Sequence, residues 1–189
     1  VAAVNEIGGP VVLKILSPDI AHKTEAGGVA LGLADGQIAA MAAREIEKRV
    51  KAHSPHAKLE GFLVQKMERG LAEVILGYRR DPLVGPTITV GLGGVLAEIY
   101  KDASTRLAPV SESEALQMID EVKGLAVIRG YRNLPRGDIG ALARAIAQFS
   151  TLAHAIFTDV AEAEINPLLV KKDAEGVVAV DGLVVLAES

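Results

Sequence analysis

The sequence predicts an α+β protein in which short antiparallel strand pairs are mixed with amphipathic helices. Half of the 189 residues are apolar but only 3% are aromatic, so Ala, Val, Leu, Ile and Gly must fill the core, which favours mixed layers of helix and sheet. β-Branched runs follow one another in hairpin-like pairs, and longer segments with helical spacing separate them. The glycine pattern at residues 91–94 lacks the dinucleotide-binding fingerprint and its acidic partner, which argues against a regular Rossmann alternation.

Composition and charge exclude several classes of protein. The chain has 24 acidic and 20 basic residues and no Lys/Arg block, so we expect no nucleic-acid partner. It has no cysteine, which excludes a disulfide framework and a thiolate metal site and fits a cytoplasmic location. The longest apolar run, residues 87–97, is well short of the roughly 18 residues that a membrane span needs, so we expect no membrane partner.

The first third of the chain predicts a helix end, a strand and a helix. Residues 1–10 show no secretion signal and end in a Gly-Gly-Pro break, so we interpret them as the tail of a helix in a fragment that lacks its natural N-terminal part. Residues 10–16 are a β-branched run opened by a proline, which is typical of a strand. Residues 36–53 predict an amphipathic helix, with apolar residues every four positions at Ile38, Ala42, Ile46 and Val50.

Three strands are predicted in the middle of the chain. Residues 61–67 and 72–80 are β-rich runs joined by a short turn. Residues 86–94 predict a buried strand that runs into a glycine turn. Pairs of strands with short connections favour antiparallel sheets.

Two helices follow these strands. Residues 111–122 open with Ser111 and Glu114, the spacing of a capping box. Residues 138–156 predict a long helix for which Asp138 is the N-cap. Its expected apolar face consists of Leu142, Ile146, Phe149 and Ala153.

The C-terminal residues 160–189 predict two strands around a turn at residues 172–176. A turn of four residues pairs Asn166 with Asp181, whereas a turn of five pairs it with Gly182. Directly paired side chains lie on one face of a sheet, and side chains along a strand alternate with a period of two. The four-residue turn therefore places Asn166, Asp181 and Glu164 on the same face.

Oxygen ligands of this kind suit Mg²⁺, which usually takes one or two protein ligands and completes its shell with water and phosphates. A solvated sheet face with ordinary polar residues is the alternative. Asn166 and Asp181 are poor strand formers within apolar runs, which favours the metal hypothesis. Pro167 has no N–H and predicts that its strand lies at a sheet edge or contains a bulge.

Basic residues and glycines near the N-terminus indicate an anionic ligand. Lys14 interrupts an apolar strand, where a phosphate would be a suitable partner and an exposed strand face is the alternative. His22 stands ahead of Gly27 and Gly28, which would let backbone N–H groups approach a ligand; a plain surface loop is the alternative. Glu73 begins a strand, a position from which carboxylates can accept ribose hydroxyls.

Residues 10–33, 59–109, 163–170 and 177–183 together resemble one known family. It is the ATP-grasp portion of the ADP-forming (NDP-forming) acyl-CoA synthetases, relatives of the succinyl-CoA synthetase β subunit. The same module closes large proteins that carry an acetyltransferase domain. The resemblance implies an ATP-grasp fold of two α/β lobes with mixed or antiparallel sheets. It implies an incomplete N-lobe over residues 1–66 and a C-lobe over residues 67–189.

The resemblance also implies a site for ATP or ADP. Lys14 corresponds to the strand lysine that contacts nucleotide phosphates, and Gly27 and Gly28 to the glycine loop that closes over them. The backbone from Gln65 to Met67 corresponds to the hinge that reads adenine. The remaining correspondences are Glu73 with the ribose acceptor, Asn166 and Asp181 with the Mg²⁺ ligands, Glu164 with the residue that steadies a phosphohistidine, and His22 with a histidine that carries the phosphoryl group.

The implied overall reaction is acyl-CoA + ADP + phosphate ⇌ carboxylate + CoA + ATP. This chain would supply the half in which phosphohistidine and ADP give histidine and ATP. The CoA-binding and ligase domains of the same enzyme are implied partners, so we expect the chain to be inactive alone. Apolar surface that would meet those domains predicts homo-oligomers. The alternatives are a non-catalytic nucleotide-sensing domain of an acetyltransferase fusion and a structural interaction domain.

Overall fold

The computed structural model describes residues 1–20, 22–94, 100–154 and 160–187. The chain divides into two compact units, Val1–Met67 and Glu68–Ser189. The elements of the first unit are α1 (Ala2–Ile7), β1 (Val11–Leu16), β2 (Val29–Leu33), α2 (Gly36–His53) and β3 (Gly61–Lys66). Among the described residues, no helix is long and apolar enough to cross a membrane.

The first unit is built on a three-stranded antiparallel sheet in the order β2-β1-β3. Alternate residues of β1 enter its core, where they meet buried residues of α2. The predicted strand at residues 10–16 is confirmed, and a helix precedes it: α1 ends at Ile7 and is capped by Gly8, which takes the left-handed conformation with φ 67°. The core of this unit contains Val11, Leu13, Ile15, Ile46 and Val50.

The bounds predicted for α2 are confirmed, but part of its predicted apolar face is wrong. Ile38 is 46% exposed, whereas Ala39, Ile46 and Val50 are buried. A step of four residues turns an α-helix by about 400°, so a series of such steps drifts by about 40° each time. The buried stripe therefore needs a step of three residues as well, and the prediction from spacing four alone placed Ile38 on the wrong side.

The second unit contains β4 (Ala72–Asp81), β5 (Gly85–Leu92), β6 (Ala103–Leu107), α3 (Glu112–Glu121), α4 (Ile139–Ser150), β7 (Val160–Val170), β8 (Val177–Ala179) and β9 (Gly182–Leu186). Short 3₁₀ helices cover Lys123–Ile128, Tyr131–Asn133 and Thr151–His154. The antiparallel sheet has the order β6-β5-β4-β7-β8, and β9 also pairs with β7. With two antiparallel sheets and helices, the predicted α+β class is confirmed.

The core of the second unit forms between the sheet and its helices. β4 contributes Val74 and Leu76, while α3 contributes Met118 and Ile119. Leu142 and Ile146 of α4, Ile88 and Val90 of β5, and Leu168 and Val170 of β7 complete it. One face of the sheet is thereby fixed as the core face.

Both helix caps predicted for this unit are confirmed. Ser111 and Glu114 form the reciprocal capping box of α3, and the Asp138 side chain accepts from the N–H of Ala141 to cap α4. The α-helix ends at Ser150 and continues as the short 3₁₀ turn, so it is shorter than the predicted 138–156. Residues 155–156 of that prediction lie outside the described residues.

Candidate functional site

The polar residues singled out in the C-terminal half lie on the sheet face that points away from the core of the second unit. We call it the outer face. On β4 the core residues Val74, Leu76 and Tyr78 alternate with outward-facing residues. The outer face is defined by Glu73, Ile75, Gly77 and Arg79 of β4, Glu162, Glu164 and Asn166 of β7, Thr87 and Thr89 of β5, and Asp181 with Leu183 beyond β8.

The hairpin adopts the four-residue turn. Leu168 pairs with Ala179, and the same register continues beyond the turn to Glu164, which pairs with Leu183. The N–H of Asn166 donates to the carbonyl of Asp181 across 3.1 Å. Of the two alternatives that the sequence left open, the structure has the one that sets Asn166 opposite Asp181.

The predicted second strand of this hairpin is in fact two strands, β8 and β9, with a break at residues 180–181. At that break the Asp181 side chain accepts from the N–H of Gly182 across 3.0 Å. Aspartate hydrogen-bonds readily to nearby backbone groups, which competes with strand pairing. Asp181 thus lies at the break between the two strands, opposite Asn166.

Pro167 lies at a bulge and not at an edge. β7 is an inner strand, because it pairs with β4 on one side and with β8 and β9 on the other. On the β4 side Leu168 faces Val74 and Ile165 faces Leu76, so Asn166 and Pro167 together oppose a single residue. A bulge re-aims side chains next to it. Here it places Asn166 on the outer face between inward-facing Ile165 and Leu168.

Glu164 lies beside an open part of the outer face. It faces Gly77 of β4, which in turn faces Thr89 of β5. Because Gly77 has no side chain, it forms the floor of a depression lined by Arg79, Thr89, Glu162, Glu164 and Leu183, among others. Arg79 pairs with Glu162 across 3.3 Å, and both side chains are more than half exposed, so this ion pair contributes little to stability.

Glu73 is held at the start of β4 by close glycine packing. Its carbonyl accepts from the N–H of Gly93 across 2.8 Å. A Cβ on Gly93 would lie 2.9 Å from the carbonyl carbon of Glu73, closer than side-chain carbons approach other atoms. The glycine pattern at residues 91–94 thus lets the end of β5 lie against Glu73, a packing role that sequence reasoning missed.

In the first unit, Lys14 and Gln65 lie on the sheet face opposite the core. Lys14 is only 7% exposed and pairs across β1 and β3 with Leu63, while Val12 pairs with Gln65. The predicted hinge residue Met67 donates its N–H to the carbonyl of Pro10 across 2.9 Å. The two chain segments expected to contact phosphate and adenine are therefore neighbouring strands.

The predicted glycine loop is closed by its own hydrogen bonds. The N–H of Gly27 donates to the carbonyl of Thr24 and that of Gly28 to the carbonyl of Lys23, at 3.0 and 2.7 Å. A Cβ on Gly28 would lie 2.6 Å from Cγ2 of Ile15, so glycine is required there by packing against β1. His22 is exposed at the start of this loop.

The donor set of Asn166 and Asp181 fits a hard cation. An amide oxygen and a carboxylate oxygen are ligands that Mg²⁺ accepts, and the nearby Glu164 adds negative charge. Within the described ranges, no three His, Asp or Glu side chains are arranged to hold a metal ion by themselves. A cation here would need further oxygens from water or phosphate, which is the usual situation for Mg²⁺.

A family model described as an ATP-grasp domain matches residues 1–186. The chain belongs to the ATP-grasp family. This ATP-grasp chain is 42% identical over 184 residues to an ADP-forming acetate–CoA ligase I of Archaeoglobus fulgidus, of which it covers 26%. It is 39% identical to the β subunit of an ADP-forming acetate–CoA ligase I of Pyrococcus furiosus, and that match covers 96% of this chain and 77% of the subunit.

Solved structures confirm the predicted ATP-grasp fold. One is acetyl-coenzyme A synthetase 1 from Ca. Korarchaeum cryptofilum, solved in complex with coenzyme A and Ca-AMPCP. Its sequence is 40% identical to this chain and the two structures superpose with a TM-score of 0.88. The match covers 98% of this chain and 81% of that chain. A second structure of that protein contains Mg-AMPPCP and a phosphohistidine segment that points towards its nucleotide-binding site, with 34% identity and a TM-score of 0.79, over 98% and 80% of the two chains.

Proposed function

We propose that this chain is the nucleotide-binding and phosphoryl-transfer module of an ADP-forming acid–CoA ligase. The observation that carries the proposal is the opposition of Asn166 and Asp181 beside Glu164 on the outer face. Family membership and relatives named as ADP-forming acetate–CoA ligases support it. The overall reaction would be acyl-CoA + ADP + phosphate ⇌ carboxylate + CoA + ATP.

Both units contain candidate groups for nucleotide binding. In the first unit, which we assign to the N-lobe, Lys14 would contact phosphate oxygens and the backbone from Gln65 to Met67 would read the adenine edge. In the second unit, which we assign to the C-lobe, Glu73 would accept ribose hydroxyls. Lys14 lies on a regular strand and is largely buried, so its ammonium is positioned with little loss of side-chain entropy on binding.

Asn166 and Asp181 would hold Mg²⁺ through their side-chain oxygens. A bound Mg²⁺ neutralises phosphate charge and orients the transferred group. The fit rests on the paired amide and carboxylate and on the open surface around them. The protein in the two solved complexes binds a nucleotide analogue together with calcium in one and magnesium in the other, which supports the same assignment.

His22 would act as the phosphoryl carrier and Glu164 would orient the imidazole of a phosphohistidine. In the direction that consumes ATP, an imidazole nitrogen attacks the terminal phosphorus, the N–P bond forms, and the bond to the bridging oxygen breaks to release ADP. In the other direction the phosphoryl passes from nitrogen to ADP. Glu164 would accept the ring N–H and so keep the attacking nitrogen unprotonated.

The CoA-binding and ligase domains of the same enzyme would be the partners. The chain spans about a quarter of one relative and about three quarters of another, which is a β subunit. Those partners would bind the acyl substrate and CoA. They would also contain the histidine that first receives the phosphoryl group. The module alone would bind nucleotide without completing the overall reaction.

Calorimetric titration of the chain with ADP and ATP, first with Mg²⁺ and then with EDTA, tests the proposal. We expect binding that weakens at least tenfold when EDTA removes the metal. Equal affinity in both conditions would contradict the Asn166–Asp181 assignment. Lack of binding with and without metal would contradict the nucleotide-binding role of the chain.

A further inference from the structure

The turn between β7 and β8 does not determine its own length. Its sequence is compatible with four or five turn residues, and the choice decides whether Asn166 opposes Asp181 or Gly182. A one-residue slip moves every later side chain of a strand to the other face. Gly176 takes φ 81° in the four-residue form that the structure shows, and contacts from outside the hairpin can add to the preference for that form.

Asp138 contacts both ends of this turn. One oxygen of its carboxylate, Oδ2, accepts from the N–H of Gly176 across 3.0 Å. The backbone N–H of Asp138 donates to the carbonyl of Lys171, also across 3.0 Å. Lys171 and Gly176 are the last pair before the turn, since the N–H of Lys171 donates to the carbonyl of Gly176. The other oxygen, Oδ1, caps α4 at Ala141 across 2.8 Å, so the carboxylate is fixed to a helix.

The residues before Asp138 also contact the turn. The carbonyl of Arg136 accepts from the N–H of Asp173 across 2.9 Å, and Gly137 forms a bridge with Lys172. A Cβ on Gly137 would lie 2.8 Å from Cβ of Ile128, so only glycine lets this segment lie so close to the core. Residues 136, 137 and 138 thus contact residues 173, 172 and 171 respectively.

A five-residue turn would lose the Asp138 contact. Lys171 would then pair with Val177 and Gly176 would move into the turn. Val177 would have to take the place of Gly176, where the backbone has φ 81°, a conformation that a β-branched residue rarely adopts, so its N–H would not be held at Oδ2. Asp138 is only 9% exposed, so the oxygen left without its donor would be poorly hydrated. Leaving a buried acceptor unsatisfied is costly, and this cost disfavours the slipped register.

We propose that Asp138 sets the register of the β7–β8 hairpin and thereby holds Asn166 opposite Asp181. Asp138 is a positioning residue, because it acts on the metal pair through the turn. The register part of this inference stands on the contacts above. Its consequence for metal binding rests on the proposed function.

Pairs of introduced cysteines report the register through the cross-link that they form. The chain has no natural cysteine that would interfere. In the observed register Leu169 pairs with Val178, and after a one-residue slip it would pair with Ala179. We expect Leu169→Cys/Val178→Cys to cross-link under mild oxidation and Leu169→Cys/Ala179→Cys to remain reduced. Adding Asp138→Asn should raise cross-linking of the second pair at least severalfold at the expense of the first.

Asp138→Asn is chosen because asparagine is as good an N-cap as aspartate. With its oxygen on the N–H of Ala141, its NH₂ group would face the N–H of Gly176, and two donors cannot form a hydrogen bond. Asp138→Ser, which also keeps a capping oxygen, should give the same result. Ser111→Ala is the matched control, because it removes a helix cap in the same unit without touching the hairpin. Unchanged cross-linking in both Asp138 variants would overturn the register role.

Nucleotide binding gives a second readout that lost stability alone would not change. We expect Asp138→Asn to weaken ADP binding about tenfold in Mg²⁺ and to leave the affinity in EDTA unchanged. Equal loss in both conditions, or none, would overturn the positioning role for the metal pair. If the unsubstituted chain binds no nucleotide, the proposed function fails, and the cross-linking result still decides whether Asp138 sets the register.

Discussion

The backbone N–H of Asn166 donates to the carbonyl of Asp181 across 3.1 Å, so a residue with an amide side chain and one with a carboxylate lie opposite each other in the C-terminal hairpin. Each of the two residues lies at an irregular point of its strand. Asn166 lies in a bulge and Asp181 in the break between β8 and β9. Bulges and strand breaks re-aim the side chains next to them, and they often lie beside functional sites.

Asp181→Ala should abolish the Mg²⁺-dependent part of ADP binding while the chain stays folded. The substitution removes one of the two proposed ligand oxygens and no residue of the core. Calorimetry with Mg²⁺ and EDTA measures the loss, which we expect to be at least tenfold. Asp173→Ala, an exposed aspartate in the turn of the same hairpin, is the control and should bind as the unsubstituted chain does.

Lys14→Met should weaken ADP and ATP binding by at least tenfold. Methionine keeps the length and packing of a buried side chain but removes the charge that would meet phosphate oxygens. Lys58→Met removes a charge of the same sign from an exposed lysine paired with Glu60, and should leave affinity within twofold. Equal affinity of the Lys14 variant and the unsubstituted chain would remove Lys14 from the site.

His22→Ala should preserve nucleotide binding and stop phosphoryl transfer in the complete enzyme. The imidazole is exposed, so its removal costs little stability, while the proposed nucleophile is lost. His56→Ala removes another exposed histidine of the same unit and serves as the control. Normal turnover by the His22 variant would exclude the carrier role, and acid-labile phosphate on the unsubstituted protein but not on this variant would support it.

Gly93→Ala should destabilise the second unit by about 1–3 kcal/mol, because the added methyl group overpacks the backbone of Glu73. Gly77→Ala is the matched comparison in the same sheet. Its added Cβ would lie 4.0 Å from the Cβ of Thr89, which is ordinary van der Waals contact. Urea denaturation should therefore separate the two variants, and equal midpoints would show that the strand end moves freely.

Acid should weaken the contact between α4 and the hairpin. The N–H of Ala141, with that of Gly176, holds the pKa of Asp138 below its ordinary value, although burial acts in the opposite direction. A depressed folded-state pKa contributes stability that is present above the unfolded pKa of about 4 and is lost as the pH falls through the folded-state value. The difference in urea midpoint between the unsubstituted chain and Asp138→Asn should be constant near neutral pH and shrink below pH 4. A difference independent of pH would show that the charge of Asp138 does not matter.

Local patterns in the sequence predicted the regular elements well. The bounds of α2, the capping box at Ser111 and Glu114, and the cap at Asp138 each depend on residues close in sequence, and all are confirmed. The same holds for the strand core of the hairpin, whose pairing follows once the turn length is known. Local sequence patterns suffice for elements whose hydrogen bonds join residues close in sequence.

Elements that depend on distant contacts were missed. β2 contains Gly32, which has φ 68°, and β6 is a short polar strand at the edge of its sheet, so neither shows a clear β pattern of its own. The break at Asp181 and the inner position of β7 likewise follow from tertiary pairing. The contact of Asp138 with Gly176 joins residues 38 apart, which no local pattern reveals.

The closed hydrogen bonding of the glycine loop has a kinetic consequence. If nucleotide phosphates are to take the N–H groups of Gly27 and Gly28, the bonds of these groups to Thr24 and Lys23 must first break. Binding then exchanges internal hydrogen bonds for new ones, so the net gain per bond is modest. Association would proceed at the rate of loop opening and level off at high nucleotide concentration, as expected for a gate rather than a preformed cradle.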